Sequence, residues 1–358
     1  MTCGQMSSAS VRSSLQGEGN TMNALYSLFA VLALIFIAIE GGRIGAGQTL
    51  LTLIVPYAAL AFFLAGFCAR ILRWAWVPVP FRIPVTCGQQ KSLPWIRASK
   101  LDNPSTRWGV LIRMAGEVLL FRALFRNNRA RLAGKRLILG ESKYLWLGAL
   151  AFHWALLLIL LRHLRLIIEP VPAWVNALER VDSFFQIGAP QLYLSDVIFP
   201  AALVYLLFRR FRDPMVRYIS LFADYFALFL LLGIAISGVL MRYFVRTDVV
   251  AVKQLVLSLV TFRPADPHAL SLLFLAHLLL VCALAAYFPF SKLMHAGGVF
   301  LSPTRNLANN NRSQRHVNPW NYPVKTHTYA EWEEEFRDKL QEAGLPIEAE
   351  NAGTTRTD

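Results

Sequence analysis

An all-α integral membrane protein with six transmembrane helices is the fold class this sequence predicts, and three observations predict it. Of 358 residues, 55% are hydrophobic and only 16% are charged, against ~25% charged in ordinary soluble domains. Six apolar stretches, 23–39, 50–72, 144–166, 191–208, 219–241 and 269–290, approach or exceed the ~20 helical residues that cross a hydrocarbon core. Basic residues crowd some of the intervening loops and avoid others, an asymmetry that orients helices in a bilayer.

Taken in order, residues 1–21 (MTCGQMSSASVRSSLQGEGNT) are polar and without pattern. They are expected to be disordered or a mis-annotated extension, because Met22 opens a natural-looking start, MNALYSLFAVLALIF. No small-residue cleavage site follows the apolar run, so it is not a secretory signal. The first span is followed by a short loop, 40–48, whose one basic residue is Arg43. After the second span, residues 73–143 hold fourteen Lys/Arg and three acids. Within that loop, RWGVLIRMAGEVLLFRALFR (107–126) is apolar but interrupted by Arg113, Glu117 and Arg122. It reads as an amphipathic helix at the membrane interface or as a helix packed on a partner, and both can hold.

The third span is bounded by 167–192, which holds one basic residue, Arg180. The fourth is the weakest, since Asp196 and Pro200 interrupt it, and a half-buried re-entrant helix competes with a full crossing. Arg209, Arg210, Arg212 and Arg217 follow within ten residues. The loop 242–268 carries four basic residues without a dense cluster. Lys/Arg excess marks the cytoplasmic side, so alternation puts both termini in the cytoplasm. The net charge of +14 is then mostly topology. A nucleic-acid role finds no binding motif. Cys3, Cys68, Cys87 and Cys282 form no CxxC or CxxCH, so no zinc, iron–sulfur or thioether-haem signature accompanies them. No internal repeat is present. The domain plan is 1–21 as an extension, 22–296 as the membrane domain with 73–143 as its basic loop, and 297–358 as a cytoplasmic tail.

Four of the seven histidines sit in two spans. FHWALLLILLRHLR (152–165) carries His153 and His163; the last span and its end carry His277 and His295. His268 lies at a helix start after Asp266-Pro267, and His316 and His327 lie in the polar tail. Ten residues of helix rise ~15 Å and eighteen rise ~27 Å. At ~100° per residue His277 and His295 share a face, and His153 and His163 fall within one broad stripe. The two helices run in opposite directions, so depth pairs His153 with His295 and His163 with His277, about 21 Å apart along the normal. Tilt and a bend at Pro289 must absorb the difference in rise. A single intramembrane histidine is often only hydrogen-bonded to a neighbouring helix. Two pairs at matching depths point instead to two bis-imidazole haems. A proton relay would need acids in mid-span, whereas Asp196 and Asp224 lie near helix ends.

The histidine spacing resembles that of the di-haem cytochrome b (gamma) subunit of respiratory nitrate reductase, over spans two to six. Five motifs are closer to one branch, the DsrM membrane cytochrome b of the DsrMKJOP complex associated with dissimilatory sulfite reduction. They are TCGQQKSLPWIRASKLDNPST (86–106), LWLGALAFHWALLLILLRHLR (145–165), YISLFADYF (218–226), YFPFSKLMHAGGVFLSPTRNLANNN (287–311) and HVNPWNYPVKTHTYAEWEEEFRDK (316–339). The resemblance implies a five-helix di-haem bundle plus one N-terminal helix, with two non-covalent b haems held by His153/His295 and His163/His277 and a quinone as substrate. It also implies a cytoplasmic iron–sulfur partner subunit, further membrane and outer-face cytochrome c subunits, and a bacterial inner membrane. Electrons would pass between the quinone pool and the sulfite-reductase pathway. The nitrate reductase relative has a lysine after its first di-histidine helix that is missing here. Arg162 and Arg165 flank His163 and can stand in for it at a quinone, pair with haem propionates, or snorkel to headgroups. The competing functions are the nitrate reductase gamma role itself and a non-redox membrane scaffold or transporter. Residues 303–325, rich in Asn and Pro, cannot build a core alone; with the short acidic helix YAEWEEEFRDKL they suit docking on the partner.

Overall fold

A computed structural model describes residues 8–77, 88–126, 129–140, 142–183, 191–263, 270–302, 306–312, 323 and 325–347. His268, His316, Cys3 and Cys87 lie outside these residues, as do 1–7 of the expected extension and most of 313–324.

The chain divides into two units, Met1–Arg315 and His316–Asp358. The first is built from helices that run in the order of the apolar stretches. Helix α1 (Ser8–Gly42) already begins at Ser8, well before Met22. Residues 8–21 hold no proline, so nothing stops the helix from propagating backwards from its apolar part. The membrane-length portion is Thr21–Gly42. Helix α2 (Gly45–Ala75) contains a π turn at Leu50–Ile54.

The expected amphipathic helix is two pieces. Helix α3 (Arg107–Leu120) is capped by Thr106, whose hydroxyl accepts from the Gly109 N–H. Phe121 then takes a left-handed backbone, φ +47°, and α4 (Arg122–Arg126) follows. Arg113 and Glu117, which break the apolar pattern, neutralise each other one turn apart at 2.8 Å. A hairpin of β1 (Arg129–Ala133) and β2 (Arg136–Gly140) closes the loop.

Helix α5 (Lys143–Ile167) is the third span, and α6 (Ala173–Asp182) is a short helix after it. The fourth apolar stretch is one continuous helix, α7 (Leu194–Arg212), with Pro200 inside. At 19 residues it is long enough to approach a crossing, but its charges set it apart from the five helices that qualify on both length and apolarity. After α8 (Pro214–Tyr218) come α9 (Phe222–Phe244), α10 (Val249–Val260) and α11 (Leu272–Tyr287).

The last span is not a single helix through both histidines. Pro289 has no N–H to continue the ladder. The chain goes through two 3-10 turns, Phe288–Phe290 and Lys292–Met294, with extended Ser291 between them. His295 starts a separate helix, α12 (His295–Leu301). Gly66 of α2 makes room for this break, because a Cβ there would stand 2.9 Å from the Pro289 ring.

Three apolar clusters knit the bundle. Phe152 and Ala155 of α5 meet Phe199, Ala202 and Leu203 of α7 and Leu231 and Ala235 of α9. Val31 of α1 meets Leu230 of α9 and Leu280 of α11. Leu51 of α2 meets Val252 and Leu255 of α10 and Leu275 of α11. Much of the remaining apolar surface is exposed, Phe29, Phe36 and Phe62 at 60–63% among it, as suits helices that face lipid rather than water.

In the second unit, α13 (Tyr329–Glu342) opens on a capping box. Thr328 accepts from the Glu331 N–H at 3.3 Å, and the Glu331 carboxylate accepts from the Thr328 N–H at 2.8 Å. That main-chain hydrogen bond holds the Glu331 carboxyl below its ordinary range.

Candidate functional site

The two helices that carry histidines are α5 and α11–α12. Helix α5 packs on α7, and α11 packs on α1, α2 and α9. Among the described residues, α5 and α11 do not lie backbone against backbone as they do with these neighbours. Their histidines meet instead. The rings of His153 and His295 stand 5.9 Å apart, centre to centre, at 82°. His163 and His277 lie close enough to interact electrostatically. Ring contact is thus given for one of the two expected pairs, His153 with His295.

Hydrogen bonding settles which ring nitrogen carries the proton. His153 Nδ1 is 2.7 Å from the Ala149 carbonyl, His163 Nδ1 is 2.7 Å from the Ile159 carbonyl, and His295 Nδ1 is 2.8 Å from the Lys292 carbonyl. A carbonyl only accepts, so in each ring Nδ1 donates. His277 Nδ1 is 2.8 Å from Ser237 Oγ. That hydroxyl gives its own proton to the Gly233 carbonyl at 2.7 Å, so it too acts as acceptor towards the ring. All four imidazoles thus present Nε2 with its lone pair, the form that binds a metal, and each has the outer partner that fixes a metal-bound histidine.

The donor set fits haem. Two imidazoles on one metal, each with its nitrogen ~2 Å away, stand with ring centres ~6 Å apart, close to the separation of His153 and His295. Among the described residues, no group of three or more His, Cys, Asp and Glu gathers to hold a bare metal ion. A bis-imidazole haem asks for two protein ligands only.

The surroundings of the two pairs differ. His153 is wedged edge-on between Phe121, at 4.8 Å, and Phe152, at 4.7 Å. Phe121 is a bulky residue at positive φ, a conformation that costs energy, and it delivers its ring from the loop to α5. The same loop is tied to α5 by Trp146 and Trp154, whose indoles donate to the Leu120 and Leu119 carbonyls at 2.7 and 3.0 Å. His295 hangs from the Lys292 carbonyl, and the Lys292 ammonium bonds Asp224 of α9 at 2.8 Å. Arg210 stands 3.7 Å from the same carboxylate. This pair sits at the end of the bundle where the basic loops gather.

At the far end, Arg162 is buried in a carboxylate cluster that the sequence reading did not find. Its Nη1 bonds Asp182 and Ser195 at 2.7 Å each and Asp196 at 3.1 Å. Tyr193 lies under the Arg162 guanidinium at 3.5 Å and under that of Arg242 at 4.0 Å. Tyr243 donates to Asp196 at 2.9 Å. Arg165 pairs with Glu179 of α6 at 2.8 Å and is 46% exposed. The signal that could have found the cluster is Asp196 itself: an acid in an apolar helix needs a cationic partner, and Arg162 is the cation at the matching depth of α5.

The fold defines a class: a mostly helical membrane protein whose apolar helices carry imidazoles held through Nδ1. The chain belongs to the nitrate reductase gamma subunit family, whose sequence model matches residues 108–315. That match takes in α3 to α12 and begins after the second span, so it is narrower than the expected coverage of spans two to six. Two relatives are described as Hdr-like menaquinol oxidoreductase cytochrome b-like subunits. That of Archaeoglobus fulgidus is 46% identical over 276 residues, 75% of this chain and 82% of the relative. That of Archaeoglobus profundus is 42% identical over 275 residues, 74% of this chain and 81% of the relative. Both are consistent with the DsrM-like branch to which the sequence motifs point.

Proposed function

We propose that this chain is the membrane-anchoring, di-haem cytochrome b subunit of a quinone-linked oxidoreductase. It passes electrons between the quinone pool and a cytoplasmic iron–sulfur subunit in dissimilatory, sulfite-reductase-linked sulfur metabolism. The observation that carries the reading is the shared state of the four histidines, each with Nδ1 donated and Nε2 available, in two cross-helix pairs. His153 and His295 would hold one haem and His163 and His277 the other. Haem iron with two imidazole ligands supplies a one-electron carrier with no open coordination position. The protein fixes the tautomer of each ligand, shields the sites with the apolar clusters, and spaces the two pairs across the bilayer. The relatives' description as menaquinol oxidoreductase subunits supports the quinone link. It also supports a multi-subunit complex; a cytoplasmic iron–sulfur subunit and further membrane and cytochrome c subunits are the partners this reading assigns.

Both termini face the cytoplasm of a bacterial inner membrane in this reading, with the basic loops and the His153/His295 pair on that side. Arg162 anchors α5 to α6 and α7, and Arg165, half exposed, is the one placed to meet a quinone headgroup or a haem propionate. The tail from residue 297 docks the cytoplasmic partner.

The test is the reduced-minus-oxidised optical spectrum of membranes from cells expressing the chain with adequate haem. A b-type signal with two haems per chain is expected, and its absence overturns the reading in favour of a non-redox scaffold or transporter. Co-purification separates the two redox alternatives: an iron–sulfur subunit of the sulfite pathway supports the proposal, and a molybdenum enzyme supports the nitrate reductase gamma role.

A further inference from the structure

Three of the four histidines are oriented by the carbonyls of their own helical segment: His153 by Ala149, His163 by Ile159 and His295 by Lys292. No side-chain substitution removes those acceptors. His277 differs, since its Nδ1 meets Ser237 Oγ at 2.8 Å, on a different helix and 40 residues away. Ser237 is buried, 6% exposed, in an otherwise apolar stretch of α9. Its proton is shared between the Gly233 carbonyl at 2.7 Å and the Ile234 carbonyl at 3.0 Å, so the oxygen lone pairs are what face the ring. The result is a chain from the imidazole N–H to the hydroxyl and on to a helix carbonyl, in which each bond polarises the next. Gly238, the next residue, lies against the same ring: a Cβ there would meet His277 Cε1 at 3.5 Å, an ordinary contact.

We propose that Ser237 is a positioning residue for one haem alone. It fixes the tautomer and the plane of His277 and raises the electron donation of that imidazole, setting the two haems of the chain at different potentials. The proposal rests on the di-haem reading above. Outer partners of this kind act on ligand basicity and on affinity, with losses of ~10–100-fold when they are removed. A hydrogen bond donated by Nδ1–H to the hydroxyl gives the imidazole imidazolate character, which favours ferric iron and lowers the potential. Its loss therefore raises the potential of the haem on His277. In Ser237→Ala the Ile234 carbonyl, already a hydrogen-bond partner of the His277 ring, is the acceptor left to it.

The experiment is a redox titration of purified Ser237→Ala, Ser237→Thr and wild-type protein, followed by optical and low-spin ferric EPR spectra, with haem counted per chain. In Ser237→Ala one b haem is expected to shift to higher potential with a changed EPR gmax, while the other haem keeps its wild-type values. Ser237→Thr, which retains the hydroxyl, restores both. If Ser237→Ala does not accumulate, Ser237→Cys replaces it: a smaller upward shift of the same haem supports the proposal. Unchanged potentials and EPR signals in Ser237→Ala or Ser237→Cys overturn it, as does an equal shift of both haems. A wild-type chain without b haem refutes the di-haem reading itself, an outcome distinct from these.

Discussion

At the basic end of the bundle, His153 and His295 are held by aromatic edges and main-chain carbonyls, and the nearest ion pair, Lys292–Asp224, has a lysine that is 74% exposed. At the far end, His277 is held by a hydroxyl on another helix, and the charges beside His163 are buried, Arg162 at 9% and Asp182 at 1% exposed. Both ends solve the same problem of fixing an imidazole in apolar surroundings. The basic end uses rigid backbone and ring packing, which tolerate surface change. The far end holds His163 by a main-chain carbonyl too but adds side-chain polar groups, which must all be satisfied at once.

The largest effect expected from breaking this contrast is loss of a single haem. His163→Ala or His277→Ala should halve the haem-to-protein ratio and leave the other haem's spectrum intact, and His153→Ala or His295→Ala should do the reverse. If every single substitution empties both sites, the ends are not separable and the pairing loses its support.

Next comes Arg162→Ala. Removing one partner from a buried ion cluster typically costs ~3–5 kcal/mol, here because buried Asp182 loses the cation it is paired with while Asp196 keeps Arg242 at 3.8 Å. Thermal unfolding of the detergent-solubilised protein should show that loss, and a cost under ~1 kcal/mol would mean the cluster is better hydrated than its burial implies. Two glycines sharpen the packing side of the comparison. A Cβ at Gly148 would stand 2.5 Å from the Tyr205 ring, whereas one at Gly238 meets nothing nearer than 3.5 Å. Gly148→Ala should therefore destabilise by ~1–3 kcal/mol, and Gly238→Ala should leave the melting temperature nearly unchanged; reversed order would show that Tyr205 yields.

The smallest effect belongs to Lys292→Ala. The ammonium is 74% exposed although Asp224 is only 3% exposed, so losing the cation costs about 1 kcal/mol, and Asp224 keeps the Leu221 N–H at 3.0 Å and Arg210 nearby. A loss as large as that of Arg162→Ala would erase the distinction between the two ends.

The apolar stretches were legible because a bilayer demands ~20 residues of internally bonded backbone, and hydropathy reads that demand directly. The helices near 144–166 and 219–241 needed nothing else. Shorter elements were not legible in the same way. Helices α6 and α10, of 10 and 12 residues, are below membrane length, and the hairpin 129–140 rests on cross-strand pairs that no periodicity in a five-residue strand can specify. The last span was half legible: Pro289 signalled a bend, but the full break before His295 depends on Ser291 capping a new turn through the Leu293 N–H at 3.1 Å. At the candidate site the histidines were legible, since ionisable groups in apolar runs stand out. Ser237 was not, because a serine in a membrane helix ordinarily bonds its own backbone, and only the ring of another helix gives it a partner outside α9.

The sequence by itself determined the class: a basic, apolar, helical chain with histidines at two depths in two spans, since hydropathy and helical rise are local quantities. Tertiary structure alone decided the proton on each ring, the commitment of Arg162 to Asp182 and Asp196, and the break that makes His295 the start of its own helix. The Arg162 contacts and the Ser237–His277 bond depend on which atoms meet across 20 to 40 residues of intervening chain. A hydrogen bond of 2.7 or 2.8 Å is a property of packed helices, not of the spacing of letters along any one of them.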